Sequence, residues 1–233
     1  DKLVRIFDLR TNEELDSLSG HRDAITSLAF RHGTSTLFSG SSDRCLKSWS
    51  IDDMSYVDTL YGHQSAITSL DLHRKDEVVT SGGDRTCRFW KVGEDKQLVF
   101  RGSSVSTSIE AVRLLNDDHF VSGDDHGNLS LWHLMRKKPV LTVNAVRSRT
   151  GPGSDLARPW ICSISSMRSA DLVASGSSDG LLRFWKADTT KRRLDQVASL
   201  AVDGFVNGMA FESTGRFLVA AIGQEHRLGR WER

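Results

Sequence analysis

The stretch that decides the fold covers residues 20–49 and reads GHRDAITSLAFRHGTSTLFSGSSDRCLKSW. It contains a histidine, a serine and an aspartate, the residue types of a nucleophilic triad. A related stretch follows at residues 62–90; it also begins with Gly-His, carries Asp-Arg and ends on a tryptophan, 41 residues after the first one. An active site would hardly occur twice with the same order and an added tryptophan, so the pattern favours a structural repeat.

The repeat extends along the whole chain. Its closing aromatic residue recurs at intervals of 42, 41, 42, 53 and 46 residues. The residues in this position are Phe7, Trp49, Trp90, Trp132, Trp185 and Trp231. A period of about 40–45 residues with a Gly-His pair is typical of WD-repeat propellers, and the chain resembles that family over its full length. The resemblance implies an all-β fold: a WD-repeat β-propeller of four-stranded antiparallel blades, seven-bladed in the full protein, with about five and a half blades in this chain.

Local patterns predict the same architecture. Residues 24–30 alternate apolar and polar side chains, as a half-buried strand does. Three more strand-like runs follow before residue 62, each separated from the last by a polar or glycine-containing turn. A four-stranded sheet of this size cannot bury its faces alone, whereas stacking such sheets around a ring buries them.

We interpret residues 1–233 as the C-terminal part of a single propeller. The predicted repeat units are 1–19, 20–61, 62–101, 102–145, 146–203 and 204–233, of which the first and last are partial and the fifth carries an insertion at 145–160. Strand counting over these units gives 21 strands, which leaves six-bladed and seven-bladed rings open. Because the sequence begins inside a strand-like pattern, we expect further strands to precede it and the chain alone to expose sheet edges.

The WD-repeat resemblance also implies a hydrogen-bonded tetrad in the best-preserved units. The matching residues are His21, Ser39, Asp43 and Trp49 in one unit and His63, Ser81, Asp84 and Trp90 in the next. We interpret both tetrads as structural, because such a network satisfies buried polar groups and fixes each loop to its blade. Later units depart from the pattern, with Ser103 in the histidine position and His126 and Glu225 in the aspartate position. We expect those blades to be held less uniformly.

Arginines concentrate on one side of the predicted propeller. We define the top face as the side that carries the turn before each third strand and the connections between units. The candidate contacts placed there are Arg22, Arg44, Arg85, Arg147, Arg149, Arg158, Trp160 and Arg227. Arginine pairs with phosphate through two parallel hydrogen bonds and stacks on bases, so this face is a candidate RNA or partner contact. The alternative is solvated loop charge together with arginine salt bridges between blades, and it gains weight because the opposite (bottom) face is basic too, for example at residues 136–138.

Composition argues against several other functions. The net charge is +1, from 31 Lys and Arg against 30 Asp and Glu, so no global bias indicates nucleic acid. The cysteines Cys45, Cys87 and Cys162 are far apart, which argues against a disulfide framework or a cysteine zinc site. No histidine spacing fits a metal, and no apolar run is long enough for a membrane helix. We therefore predict no catalytic residues, cofactor, metal, membrane association or small-molecule substrate.

Three stretches carry a more specific resemblance: residues 7–49, the ARPWI sequence at 157–161 and the EHRLGRW sequence at 225–231. They are similar to the WD-repeat proteins of the U3 small nucleolar ribonucleoprotein. That resemblance implies a non-enzymatic scaffold that binds the box B/C region of U3 small nucleolar RNA, together with the kink-turn-binding protein of box C/D particles. It also implies other small-subunit processome partners, a role in small-subunit ribosomal RNA processing, and a location in the nucleolus of the nucleus.

Two other classes of protein stay open from the sequence. One is a WD-repeat adaptor that binds only protein, such as a ligase substrate receptor, and RNA-dependent retention would argue against it. The other is a propeller enzyme. That class requires convergent catalytic groups near the central channel, and the sequence offers no such set.

Overall fold

The computed structural model describes residues 1–72, 77–146, 160–167, 170–212 and 214–225. Within these ranges the chain forms twenty β-strands and one short 3-10 turn, Val92–Glu94, and no α-helix. The strands group into six antiparallel sheets, which we call blades 1 to 6 in chain order. The fold is therefore a series of antiparallel sheets, of which four have four strands and two have two strands among the described residues.

Blade 1 consists of β1 (Val4–Asp8) and β2 (Glu13–Leu18); blade 2 of β3 (Ile25–Phe30), β4 (Thr36–Ser41), β5 (Cys45–Ser50) and β6 (Ser55–Tyr61); blade 3 of β7 (Ile67–Leu72), β8 (Glu77–Gly82), β9 (Thr86–Lys91) and β10 (Lys96–Arg101); blade 4 of β11 (Ile109–Leu114), β12 (His119–Asp124), β13 (Asn128–His133) and β14 (Leu141–Asn144); blade 5 of β15 (Ile161–Met167), β16 (Leu172–Ser177), β17 (Leu181–Asp188) and β18 (Arg193–Ala201); and blade 6 of β19 (Phe205–Phe211) and β20 (Leu218–Gly223).

The blades stack side by side around their first strands. In blades 2 to 5 the four strands pair in chain order as an antiparallel meander. The first strands β3, β7, β11, β15 and β19 each contact the next one in the series, so they form the inner side of an arc. The predicted all-β propeller of four-stranded antiparallel blades is confirmed. The closing aromatic residue of the last unit, Trp231, lies outside the described residues.

Apolar side chains from neighbouring blades form the core. Between blades 2 and 3, Phe38 and Leu46 pack with Ile67 and Leu70, and all four are buried. Burying a large apolar side chain contributes about 1.5–3 kcal/mol. Because each blade offers one face to the blade before it and the other to the blade after it, a single blade cannot supply this stabilisation alone.

Glycine in the second strand lets neighbouring blades approach closely. A Cβ added to Gly123 of β12 would lie 2.5 Å from Cγ2 of Ile161 in blade 5. A Cβ on Gly176 of β16 would lie 2.5 Å from Cβ of Val206 in blade 6. The glycine one position after the tetrad hydroxyl is therefore a packing requirement between blades in blades 4 and 5, and Gly40 of blade 2, whose added Cβ would lie 2.7 Å from Cγ2 of Ile67, follows the same rule.

The connections between blades and the turns before the third strands lie on one face. In blade 2 the Ser42 N–H donates to the Ala24 carbonyl at 2.8 Å. In blade 5 the Ser178 N–H donates to the Trp160 carbonyl at 3.0 Å, and the Trp160 N–H donates to Ser178 Oγ at 3.0 Å. These bonds hold the two kinds of loop together on the top face, where the candidate contacts are placed.

Candidate nucleic-acid interface

The first predicted tetrad forms a continuous chain of hydrogen bonds in blade 2. The Trp49 Nε1–H donates to Ser39 Oγ at 2.8 Å. Ser39 Oγ lies 2.7 Å from His21 Nε2, and His21 Nδ1 lies 2.7 Å from Asp43 Oδ2. A carboxylate only accepts, so in the neutral ring Nδ1 carries the proton and Nε2 accepts the Ser39 hydroxyl proton. Each donor in this chain thereby has an acceptor.

This geometry leaves no nucleophile in the opening stretch. Ser39 is fully buried, and the His21 side chain is buried with it. The serine oxygen already accepts from Trp49, and its proton is engaged by the histidine. These groups fix the connection between blades 1 and 2 onto blade 2.

The second tetrad differs from the sequence prediction in one residue: its hydroxyl comes from Thr80, not from Ser81. Thr80 Oγ1 lies 2.8 Å from His63 Nε2 and accepts the Trp90 Nε1–H at 2.8 Å. Ser81 faces the other side of the strand, where its Oγ lies 2.9 Å from Thr68 Oγ1. The prediction of Ser81 was wrong because successive strand residues face opposite sides, so a shift of one position turns the hydroxyl away from the histidine.

Both tetrad aspartates are held as carboxylates. Burial by itself raises the pKa of Asp43, but hydrogen bonds from the Arg22 backbone N–H and the His21 ring outweigh it, and the pKa is lowered. Burial acts in the same direction on Asp84, whose Oδ2 lies 2.9 Å from His63 Nδ1. That hydrogen bond and the electrostatic interaction with the His63 ring hold the pKa of Asp84 well below its usual value. The two carboxylates stay charged at neutral pH and keep fixing their loops.

Blade 4 keeps the tryptophan and the hydroxyl but not the histidine. The Trp132 Nε1–H donates to Ser122 Oγ at 2.8 Å. The turn is held by Asp125, which accepts the Thr107 backbone N–H at 3.1 Å and lies 3.0 Å from the ring of His126. The carboxylate of the turn therefore comes from the residue just before the expected position at His126.

Blade 5 anchors the same turn with an arginine. The Trp185 Nε1–H again donates to a hydroxyl, Ser175 Oγ, at 2.8 Å. Arg183 is buried and bonds both oxygens of Asp179, with Nη2 at 2.5 Å from Oδ2 and Nη1 at 3.2 Å from Oδ1. Sequence reasoning missed this pair. The available signal was that Asp179 stands six residues before its tryptophan, as Asp43 does.

Arg44 and Arg85 occupy the same position in the top-face turns of blades 2 and 3, and both are exposed. Their φ angles are 72° and 62°, in the left-handed region. The same position in blades 4 and 5 holds Gly127 and Gly180, with φ of 73° and 72°. This conformation costs an ordinary residue about 1–2 kcal/mol and costs glycine almost nothing. The fold alone favours glycine in all four turns.

The structure brings some of the predicted contacts together. Arg22 and Arg44 line one cleft of about 650 Å³ beside blade 2. Arg85 lies in the turn of the adjacent blade, outside this cleft. Trp160 lies on the same face in blade 5 but is partly buried. The remaining predicted contacts, Arg147, Arg149, Arg158 and Arg227, lie outside the described residues.

Comparison with known proteins gives the family. The family model described as "WD domain, G-beta repeat" matches residues 12–50, 54–91 and 149–186. A solved structure titled "Structure of U3-55K" is 43% identical to all of this chain, with a TM-score of 0.93, and the chain covers 71% of it. The chain belongs to the WD-repeat family that includes U3-55K.

Curated relatives of this WD-repeat protein are longer than the chain. The human "U3 small nucleolar RNA-interacting protein 2" is 43% identical over 235 residues, which are 100% of this chain and 49% of that protein. The "Ribosomal RNA-processing protein 9" of Saccharomyces cerevisiae is 27% identical over 273 residues, 90% of this chain and 48% of that protein. The chain spans about half the length of the curated relatives it matches.

Alignment of the repeats in the structure identifies three top-face residues that sequence reasoning missed: Lys47, Tyr61 and Arg101. Lys47 and Tyr61 line the same cleft as Arg44. Tyr61 and Arg101 each end the outermost strand of a blade, and each directly precedes the glycine that opens the next connection. That shared position before glycine was the signal in the sequence.

The bottom face of this WD-repeat protein is basic as well. Residues 136–138 and 191–193 are exposed there. The turns before the fourth strands on this face also hold residues at positive φ, namely Asn12, Met54, Asp95 and Arg192. These four side chains differ in charge and polarity. In the top-face turns before the third strands, by contrast, both non-glycine residues at positive φ are arginines.

Among the described residues, no group of three or more His, Cys, Asp or Glu side chains is arranged to hold a metal ion. Within the described residues no helix is long and apolar enough to cross a membrane.

Proposed function

We propose that this chain is part of a non-enzymatic, RNA-binding scaffold of the U3 small nucleolar ribonucleoprotein. In this proposal it binds the box B/C region of U3 RNA together with the kink-turn-binding protein of box C/D particles. It joins other small-subunit processome proteins and acts in small-subunit ribosomal RNA processing in the nucleolus. The names of the human and yeast relatives support the U3 and ribosomal RNA assignments.

The observation that carries the RNA contact is the pair Arg44 and Arg85. Both lie exposed on one face at a backbone conformation that blades 4 and 5 assign to glycine. Strained backbone conformations cluster at binding and catalytic sites, so an exposed arginine held in one is a candidate contact. A guanidinium offers five donors in a planar fork that matches a phosphate, and an exposed pair in adjacent blades suits two phosphates of one strand.

Other arginines extend this surface in the proposal. Arg22 lines the same cleft as Arg44. Arg147, Arg149, Arg158 and Arg227 are placed on the top face by the sequence, and the partly buried Trp160 belongs to the same rim. A spread of arginine over several blades is suited to a folded RNA, because phosphate contacts position the protein and need no single pocket.

The tetrads support the scaffold assignment over an enzyme. The hydroxyls of Ser39 and Thr80 are fully buried. Each is engaged by a histidine and a tryptophan. Residues that resemble a catalytic triad are thus used to hold loops, and the top face is left to bind.

Binding of the complete protein to U3 RNA carrying the kink-turn-binding protein tests this proposal. We expect Arg44→Ala and Arg85→Ala each to weaken binding and to reduce the slope of log affinity against log salt by about 1, because fewer counterions are released. Thermal stability is expected to change little, since both side chains are exposed. The matched control is Lys137→Ala/Lys138→Ala on the bottom face.

Loss of binding in the bottom-face pair, with unchanged affinity and salt slope in both arginine variants, would place the RNA on the bottom face. Retention of the protein in the particle after the RNA is digested would favour the adaptor that binds only protein.

A further inference from the structure

The top-face cleft beside blade 2 combines cations with an aromatic ring. It is about 650 Å³ in volume and is lined by Arg22, Arg44, Lys47 and Tyr61, among others. This volume lies within the range of small-ligand sites. Asp23 and Asp43 also line the cleft. Asp43 is already bound by the His21 ring and the backbone N–H groups of residues 22 and 45.

Tyr61 presents its ring to this cleft and to solvent. It is the last residue of the outermost strand and pairs with Cys45, directly after Arg44. Its exposed fraction is 71%. The outer strands of both neighbouring blades, β2 in blade 1 and β10 in blade 3, are part of the structure. The ring is therefore exposed even though the strands on either side of it are present.

Lys47 faces the same side and is held in position. It lies two residues beyond Cys45 on the same strand, so the two side chains project on one face. Its Nζ donates to Thr59 Oγ1 at 2.5 Å and lies 4.8 Å from the centroid of the Tyr56 ring. An ammonium has three donors, so this anchoring leaves a proton for a ligand and reduces the entropy lost on binding.

The same two positions change together from blade to blade. Blades 2 and 3 combine an arginine at positive φ with Tyr61 or Arg101 at the end of the outer strand. Blades 4 and 5 combine glycine at positive φ with the equivalent partners Asn144 and Ala201. Tyrosine and arginine both offer a flat surface for stacking, whereas asparagine and alanine do not. Among the described blades 2 to 5, the flat groups therefore occur only where the arginine at positive φ occurs.

From this arrangement we infer that the cleft of blade 2 binds one unpaired nucleotide of the RNA, with its phosphate on Arg44 and Lys47 and its base stacked on Tyr61. The inference rests on the proposed function and deepens it. A base inside a duplex has both faces covered, so a stacking ring selects a flipped-out or single-stranded base. Stacking accepts any base, so this contact does not read sequence.

The test compares Tyr61→Ala and Tyr61→Phe in the complete protein. The probes are a single-stranded RNA of about ten nucleotides and the same strand annealed to its complement. Tyr61→Ala is expected to weaken binding of the single strand about five- to a hundredfold and to leave the duplex nearly unaffected. Tyr61→Phe keeps the ring and is expected to bind as the unchanged protein does. The melting temperature of each variant is measured to verify folding.

Equal binding of the single strand by Tyr61→Ala and the unchanged protein, or equal loss on single strand and duplex, would overturn the inference. A loss in Tyr61→Phe as large as in Tyr61→Ala would overturn it too, because the hydroxyl and not the ring would then be responsible. The proposed function fails separately: if Arg44→Ala and Arg85→Ala bind U3 RNA normally, the top face is not the RNA surface at all.

Discussion

A single strand position sets the geometry of each tetrad. In blades 2 and 3 the hydroxyl stands ten residues before the tryptophan and four before the aspartate, at Ser39 and at Thr80. Both hydroxyls are fully buried and accept an indole N–H at 2.8 Å. Because serine and threonine serve equally, the residue type matters less than the register that aims the oxygen at the histidine.

We expect Thr80→Ala to destabilise the protein by about 1–3 kcal/mol, because it removes the partner of both the His63 ring and the Trp90 indole. Thr80→Ser keeps the hydroxyl and is the matched control. Ser81→Ala is expected to cost less, since Thr68 Oγ1 also bonds the Ile109 carbonyl. Chemical unfolding of the three variants measures the difference, and a larger loss in Ser81→Ala than in Thr80→Ala would contradict the assignment.

Acid is expected to destabilise the tetrads. Asp84 has a lowered pKa in the folded state, so its contribution is complete above the pKa of the unfolded chain, about 4, and is lost as the pH falls below it. The pKa of Asp43 is lowered in the same direction. Asp84→Asn removes this titration. Its unfolding free energy between about pH 5 and pH 2 should therefore fall less steeply than that of the unchanged protein. Parallel slopes would contradict the assignment.

For the tetrads, the sequence predicts which residue types take part better than it predicts the strand position of the hydroxyl. Seven of the eight tetrad residues occupy their predicted places, and Ser81 fails because the Ser-Gly pair was aligned in place of the distance to the tryptophan. The positive φ of Arg44 and Arg85 was not predictable from residue type, since arginine seldom adopts it. Exposure of Tyr61 depends on packing and needs coordinates.

Strands in this protein are defined by alternation along the chain and by contact across it. The alternating pattern of residues 24–30 predicts β3 correctly, but its apolar Leu28 and Phe30 are exposed. The side of the strand that faces blade 3 carries Thr26, whose Oγ1 donates to the Ile67 carbonyl at 2.6 Å. The glycine near the end of the second strand is explained by contact between blades and not by alternation along the chain. Its role depends on how closely the next blade approaches, which no local pattern reports.

We predict that Gly123→Ala destabilises the protein by about 1–3 kcal/mol, because the new methyl group overpacks the contact with Ile161. Gly208→Ala is the matched control: it also lies in a strand, and its nearest neighbour, Ala221 Cβ, would be 3.9 Å away. Thermal unfolding of the two variants gives the comparison. Equal melting temperatures would show that the blades can separate slightly at no cost.

Across the whole molecule, the repeat determines the architecture. The candidate RNA contact is indicated by departures from the repeat, namely arginine where blades 4 and 5 have glycine. The period of the aromatic residue was sufficient to predict the propeller, because each unit must stack on the next to bury its faces. The cleft was not predictable in the same way. It joins Arg22, Arg44, Lys47 and Tyr61 from three separate segments, and only the fold brings them together.

The double variant Arg44→Gly/Arg85→Gly tests the central claim most directly, because it separates folding from binding. Glycine relieves the left-handed conformation, so the unfolding free energy should stay unchanged or rise by up to about 1 kcal/mol per site. Affinity of the complete protein for U3 RNA carrying the kink-turn-binding protein should fall, with a salt slope reduced by about 2. A variant that is as stable as the unchanged protein and binds this RNA with unchanged affinity and salt slope would contradict the account.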